Sequence, residues 1–188
     1  MASSNSVTAG KPRISGAVMY ALLSGNPTIP AAAPTSATEA VPEGFTSLGY
    51  VSEDGVNNSN SPSSEQVKAW GGDIVMTALT EKPDEFTFTL LEATNADVLK
   101  VVYGDDNVTG SLSTGITVKA NAKQPEPMAW IIDMIMTGNT LKRIVIPNGT
   151  ISNIGEITYK DDSAVSYEIT VAALPDGSGN THYEYIKQ

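Results

Sequence analysis

Alternation of apolar and polar residues with a period of two limits this chain more than any other feature of its sequence. Over residues 84–91, Phe86, Phe88 and Leu90 fall on one side of an extended backbone and Glu85, Thr87 and Thr89 on the other. The same pattern returns late in the chain, where Val165, Tyr167, Ile169 and Val171 alternate with Ser166, Glu168 and Thr170. Strands that are wet on one face and dry on the other belong to antiparallel sheets, because parallel sheets are normally covered on both faces. The sequence therefore predicts a mainly β protein: an antiparallel β-sandwich or partly open barrel.

Further segments fit this class. Residues 14–23 read as a first strand and residues 45–52 as a short one. Residues 66–79 and 84–91 read as strands flanking a turn at residues 80–83, and residues 115–121 as another short strand. Residues 127–137 and 140–147 flank Gly138-Asn139. Asn148-Gly149 is the strongest hairpin-turn dipeptide in the chain, since such turns favour two consecutive positive φ angles. Residues 154–160 and 164–173 are expected to pair across Asp161-Asp162-Ser163. One segment changes period. In residues 92–104, Thr94 and Asp97 resemble a capping box, Val98, Leu99, Val101 and Val102 form a stripe, and Gly104 sits where a helix ends. This is the single flanking helix.

Two long loops complete the plan. Residues 24–44 contain Pro27, Pro30, Pro34 and Pro42, too many for a central strand or a helix. Residues 54–65 are rich in Ser and Asn. The domain organisation expected is an N-terminal arm at 1–13, one β domain at 14–175 and a C-terminal arm at 176–188.

Composition narrows the function. Eleven basic residues against 21 acidic ones leave a net charge of −10, which disfavours a surface that grips phosphates. Without cysteine there is no thiolate metal site, disulfide or cysteine nucleophile. His182 is the sole histidine, so a triad or polyhistidine metal site has almost nothing to use. No catalytic residue, cofactor site or metal site is therefore assigned. Asp105-Asp106-Asn107 and Asp161-Asp162-Ser163 lack the spacing of a calcium loop and read as solvated turns. Glu81, Asp84 and Glu85 sit around a turn, and no glycine-rich phosphate loop is present. Trp70 and Trp130 each lie in an apolar run and read as core. Gly71-Gly72 interrupts a strand, either as a bulge or where a neighbouring backbone comes close. No signal segment or membrane-spanning stretch is seen, so synthesis in a cytoplasm is expected. The 18 Ser, 19 Thr and 12 Asn suit either the wet face of a lone sandwich or a sheet that closes with copies of itself around water.

The order of several phrases goes further. Glu53-Asp54-Gly55-Val56, then Val67-Lys68-Ala69-Trp70-Gly71-Gly72-Asp73, then Phe86-Thr87-Phe88-Thr89-Leu90-Leu91-Glu92, then Val98-Leu99-Lys100-Val101-Val102-Tyr103-Gly104, resembles major tail tube proteins of long, non-contractile-tailed bacteriophages over roughly residues 14–175. The resemblance implies the phage tail tube fold. It also implies self-assembly into hexameric rings, stacking of rings into a conduit for genomic DNA, and a place in the virion tail after synthesis in the host bacterium. The implied partners are other copies of the chain, the tape measure protein and tail-end proteins, with DNA passing through without specific binding and no membrane involved. On this view Thr87, Thr89, Glu156, Thr158, Ser166, Glu168 and Thr170 are candidates to face the lumen, and the hairpin of residues 66–91 to supply the inner barrel. Pro27, Pro30, Pro34, Pro42, Gly71 and Gly72 are candidates for contacts between subunits. A stand-alone carbohydrate-binding or adhesive β-sandwich remains the alternative reading of the same residues.

Overall fold

In the computed structural model, residues 7–13, 16–23 and 33–188 are described. Two long strands form the middle of the fold: β10 (Met128–Met136) and β11 (Thr140–Ile154). They are joined by a tight turn in which Gly138 and Asn139 both take positive φ, 79° and 60°. The connection is three residues long, Thr137–Asn139, and glycine and asparagine are the residues that enter the positive-φ region most readily.

Each central strand carries two short strands end to end along its free edge. On β10 these are β1 (Gly10–Pro12) and β2 (Val18–Leu22). On β11 they are β12 (Tyr167–Ala173) and β13 (Tyr183–Lys187). The sheet continues beyond β12 through β7 (Glu85–Leu90) to β4 (Val51–Ser59), and beyond β2 to β3 (Thr46–Ser47). All nine strands are antiparallel to their neighbours. The last strands of the path, β3 and β4, are separated by only three residues in the chain. Four Cα steps span at most about 14 Å, so the sheet must curl until its two edges almost meet. A partly open barrel results.

Its interior is apolar and contiguous. Phe86, Phe88 and Leu90 of β7 meet Ile169 and Val171 of β12, Val18 and Tyr20 of β2, and Trp130 and Ile132 of β10. Trp130 lies edge-on to Phe88, with ring centroids 5.9 Å apart. Helix α1 (Ala96–Tyr103) adds Val98, Leu99, Val101 and Val102 to this core. Its N-cap is Asn95 rather than Thr94: the Asn95 carboxamide oxygen accepts from Asp97 N–H at 3.0 Å. Gly104 closes it with φ 95°. A small hairpin of β8 (Val108–Ser111) and β9 (Gly115–Val118) packs beside the helix. The strand expected over 115–121 is this β9, and β8 was not legible in the sequence.

Four expectations are corrected. Residues 54–65 are not a long loop: residues 54–59 belong to β4 and residues 63–65 to the next strand, leaving only residues 60–62 between them. Asn148-Gly149 is not a hairpin turn, because β11 runs straight through it. Pro147 and Asn148 together oppose Ala129, a two-against-one bulge, which is a place where a strand tolerates a proline lacking its N–H. Gly149 is required there for space: a Cβ would come within 2.7 Å of Val171 and 2.8 Å of Trp130. Residues 155–160 are not a strand, so β12 pairs with β11 and β7 instead. Finally, residues 66–79 and 84–91 do not form a hairpin with each other. Residues 63–68 and 74–81 make a separate hairpin, β5 (Ser63–Lys68) and β6 (Ile74–Glu81). Gly71 and Gly72 turn it with φ of 112° and 99°, values that only glycine adopts without strain.

Candidate assembly surface and channel face

The face of the barrel wall opposite the core carries the polar half of the alternating strands. Thr87 and Thr89 of β7 stand opposite Thr170 and Glu168 of β12, and the Thr87 and Thr170 hydroxyls are hydrogen-bonded at 3.0 Å. Four of the seven candidate channel residues are thus neighbours on one surface. Ser166 precedes β12 and is half-buried, while Glu156 and Thr158 are exposed in the irregular stretch after β11. Gly155 N–H donates to the Glu168 carbonyl at 2.8 Å, which keeps the start of that stretch beside β12. The three adjoining strands β4, β7 and β12 include Glu53, Asp54, Glu85 and Glu168 but no lysine or arginine.

A second surface is the β5–β6 hairpin, whose turn holds the candidate contact residues Gly71 and Gly72. It extends the β4–β7 ladder past its last pair, Ser59 with Glu85. Val67, Ile74, Val75, Met76 and Leu79 are all exposed along it, and Trp70 at its tip is fully exposed. The expectation that Trp70 is a core residue is therefore corrected. The signal was present in β6, whose apolar residues fall on both sides of the strand (Ile74 and Met76 against Val75 and Leu79), a pattern that one wet face does not explain. Among the described residues, nothing beyond the adjoining chain neighbours lies within 4 Å of a Cβ placed on Gly71 or Gly72.

The long loop takes a different place. Of its candidate prolines, Pro34 is buried and Pro42 half-buried, whereas Pro27 and Pro30 lie outside the described residues. Arg143, wholly buried on β11, donates from Nη1 to the carbonyls of Ser36 (3.2 Å) and Glu39 (2.8 Å). Its Nε and Nη2 bind both oxygens of Asp133, opposite it on β10, at 2.6 and 2.7 Å. Arg13 adds a contact to the same carboxylate at 3.1 Å. This buried charge pair clamps residues 36–39 onto the outside of their own sheet.

The expected arms are tied down in part as well. β1 pairs with β10 near one end of the chain, and β13 pairs with β11 near the other. Just before β13, Thr181 Oγ1 and His182 Nδ1 each lie 2.5 Å from Oδ2 of the buried Asp84, and Asn58 Nδ2 donates to its Oδ1 at 2.8 Å. Burial raises the Asp84 pKa, but hydrogen bonds from Thr181, Asn58 and His182 outweigh it and hold the carboxyl below its ordinary range. The sole histidine thus serves as a clasp for the C-terminal segment. No group of three potential metal ligands is gathered among the described residues. Asp105 and Asp106 are paired with Lys100 and Lys123, at 3.4 and 2.9 Å.

A family model described as phage tail tube protein matches residues 3–188 of the chain. The chain belongs to the phage tail tube protein family. It is a structural component of the virion tail, not an enzyme. In the tail tube protein no described helix is long and apolar enough to cross a membrane. No curated protein matches it. Among solved structures it is similar to one described as the sheath/tube terminator of an extracellular contractile injection system, PVC, in the extended state. The identity is 8% and the TM-score 0.38, with 93% of this chain and 96% of that chain covered.

Proposed function

We propose that six copies of the chain join side by side in a ring, and that the rings stack into the tail tube through which genomic DNA leaves the virion. The observation that carries this reading is the wall formed by β4, β7 and β12. Its outer face is polar, bears carboxylates and lacks any lysine or arginine. Turned toward a common axis, such a face repels the phosphate backbone, so DNA slides without sticking. Thr87, Thr89, Glu168 and Thr170 then line the channel, with Ser166, Glu156 and Thr158 at its margin. The outer edge of β4, exposed over residues 57–59, is available to pair with a neighbouring copy, removing the hazard of an open sheet edge. Residues 14–175 act as the ring-forming domain. The tape measure protein and tail-end proteins are the partners that bound such a tube.

The test uses the absence of native cysteine. Thr89→Cys in assembled tubes is expected to react with a small thiol reagent that diffuses through the bore and to resist a polymer-linked one. Electron micrographs of the same sample should show sixfold end views. Equal labelling by both reagents places Thr89 on the outside and refutes the channel assignment.

A further inference from the structure

The β5–β6 hairpin joins the body through two short unpaired stretches. The β4–β7 ladder ends at Ser59 with Glu85, and the hairpin ladder begins at Ser63 with Glu81. Between them run Asn60, Ser61 and Pro62 on one side and Lys82, Pro83 and Asp84 on the other. Neither proline has an N–H to offer a ladder. Beyond this break β5 and β6 pack densely only on each other, so the break is a hinge. Asp84 is the one hinge residue that is buried, at 4% exposure. Its backbone carbonyl accepts from Ala173 N–H at 2.8 Å, and its carboxylate accepts from Asn58 of β4 at 2.8 Å. Its other two partners, Thr181 Oγ1 and His182 Nδ1, come from the far end of the chain. The His182 ring also stands edge-on to Phe86, with centroids 5.1 Å apart. The segment that carries them is anchored on both sides: Leu174 N–H donates to the Asn148 carbonyl at 2.8 Å, and β13 follows on β11. Between these anchors the Asp176 carboxylate accepts from Ser178 N–H, Asn180 N–H and the Tyr183 hydroxyl, at 2.8, 3.0 and 2.6 Å. The stretch is an ordered turn held against the hinge.

We infer that residues 174–182 act as a strap on this hinge, with Thr181 and His182 as its pins, so that the C-terminal segment fixes the direction in which the hairpin leaves the sheet. A carboxylate that needed only water could stay exposed, as its near neighbour Glu81 does. Burying it is costly unless donors meet it, and two of its three side-chain donors belong to the strap. Drawing the strap away leaves Asp84 with Asn58 alone, which favours its return to water and with it the opening of the hinge. An event at the C-terminal segment is therefore felt at Trp70, on the tip of the hairpin. While the strap is closed, the hairpin is held in one direction in advance, which lowers the ordering cost of any contact it makes.

The test uses unassembled subunits, so its outcome does not depend on whether rings form. Nitroxide labels go on Trp70→Cys and Glu168→Cys, one at the hairpin tip and one on β12, both exposed in a chain without native cysteine. A second pair, Leu112→Cys with Glu168→Cys, reports on the body alone. Distances come from double electron–electron resonance. Adding His182→Ala should broaden the 70–168 distribution at least twofold and leave the 112–168 distribution unchanged. Thr181→Val, which keeps the shape and removes the other donor, should act in the same direction. His182→Asn keeps a donor near the Nδ1 position and should hold the 70–168 distribution close to its original width. A 70–168 distribution of the same width with and without His182→Ala overturns the strap. So does equal broadening of both pairs, which marks a general loosening, or broadening by His182→Asn as large as by His182→Ala.

Discussion

Replacing Asp133 with alanine should damage this subunit more than any surface change, and the structure sets the scale. Asp133 is 2% exposed and Arg143 0%. The carboxylate receives two bonds from Arg143, at 2.6 and 2.7 Å, and a third from Arg13 at 3.1 Å. Asp133→Ala strands the buried guanidinium, which keeps only the Ser36 and Glu39 carbonyls as partners. Breaking a buried pair from one side costs about 3–5 kcal/mol. For a chain of this length each kcal/mol moves the midpoint by roughly 2–4 °C, so a fall of roughly 6–20 °C is expected. Replacing both partners, as in Asp133→Leu with Arg143→Met, removes the stranded charge and should recover at least about 2 kcal/mol of the single-variant loss. It should still free residues 36–39 from the sheet. Urea denaturation of unassembled subunits gives the energies, and limited proteolysis within residues 33–44 reports the loop. A cost below about 1 kcal/mol for Asp133→Ala, or a double variant no better than the sum of the singles, would show that the pair is not the clamp described.

Two further predictions follow from packing and titration. Gly149→Ala forces a methyl against Trp130 and Val171 and should cost about 1–3 kcal/mol, read as a lowered thermal midpoint; an unchanged midpoint contradicts the placement of Trp130 over the bulge. Asp84 has a folded-state pKa below its ordinary value of 3.8, so its contribution is complete above that value and disappears as the pH falls through the lower folded-state one. Urea midpoints of the wild type should therefore drop more steeply in that acid window than those of Asp84→Asn, which should already be about 1–3 kcal/mol weaker at neutral pH. Parallel curves for the two proteins would deny Asp84 its role as a charged clasp.

The parts of the molecule that were readable from sequence are those where one strand obeys one rule. β7 and β12 show a strict period of two because a single apolar face meets the core, and α1 shows its stripe and its terminal glycine for the same reason. Gly138-Asn139 lies between two apolar runs and was readable as a turn. Asn148-Gly149 misled because the preference of that dipeptide for positive φ is local. Here the tertiary demand was for a residue without a Cβ beside Trp130, in a strand shared between partners on both sides. The hairpin was misread for a related reason. Runs such as Ile74-Val75-Met76 look like core by composition, yet all three are exposed on a hairpin that stands apart from the main sheet. Asp133 with Arg143 and Asp84 with His182 are distant in sequence or paired across strands, so no spacing betrayed them.

The plan of the sheet also sets an order of events during synthesis. The β5–β6 hairpin pairs residues close in sequence and can form as soon as it is made. β2 must wait more than a hundred residues for its partner on β10, and β7 waits some eighty for β12. A nascent chain thus shows the exposed Trp70, Ile74 and Val75 of this hairpin long before its sheet is complete, and over that interval the unpaired edges of β2 and β7 are where it is open to misassembly.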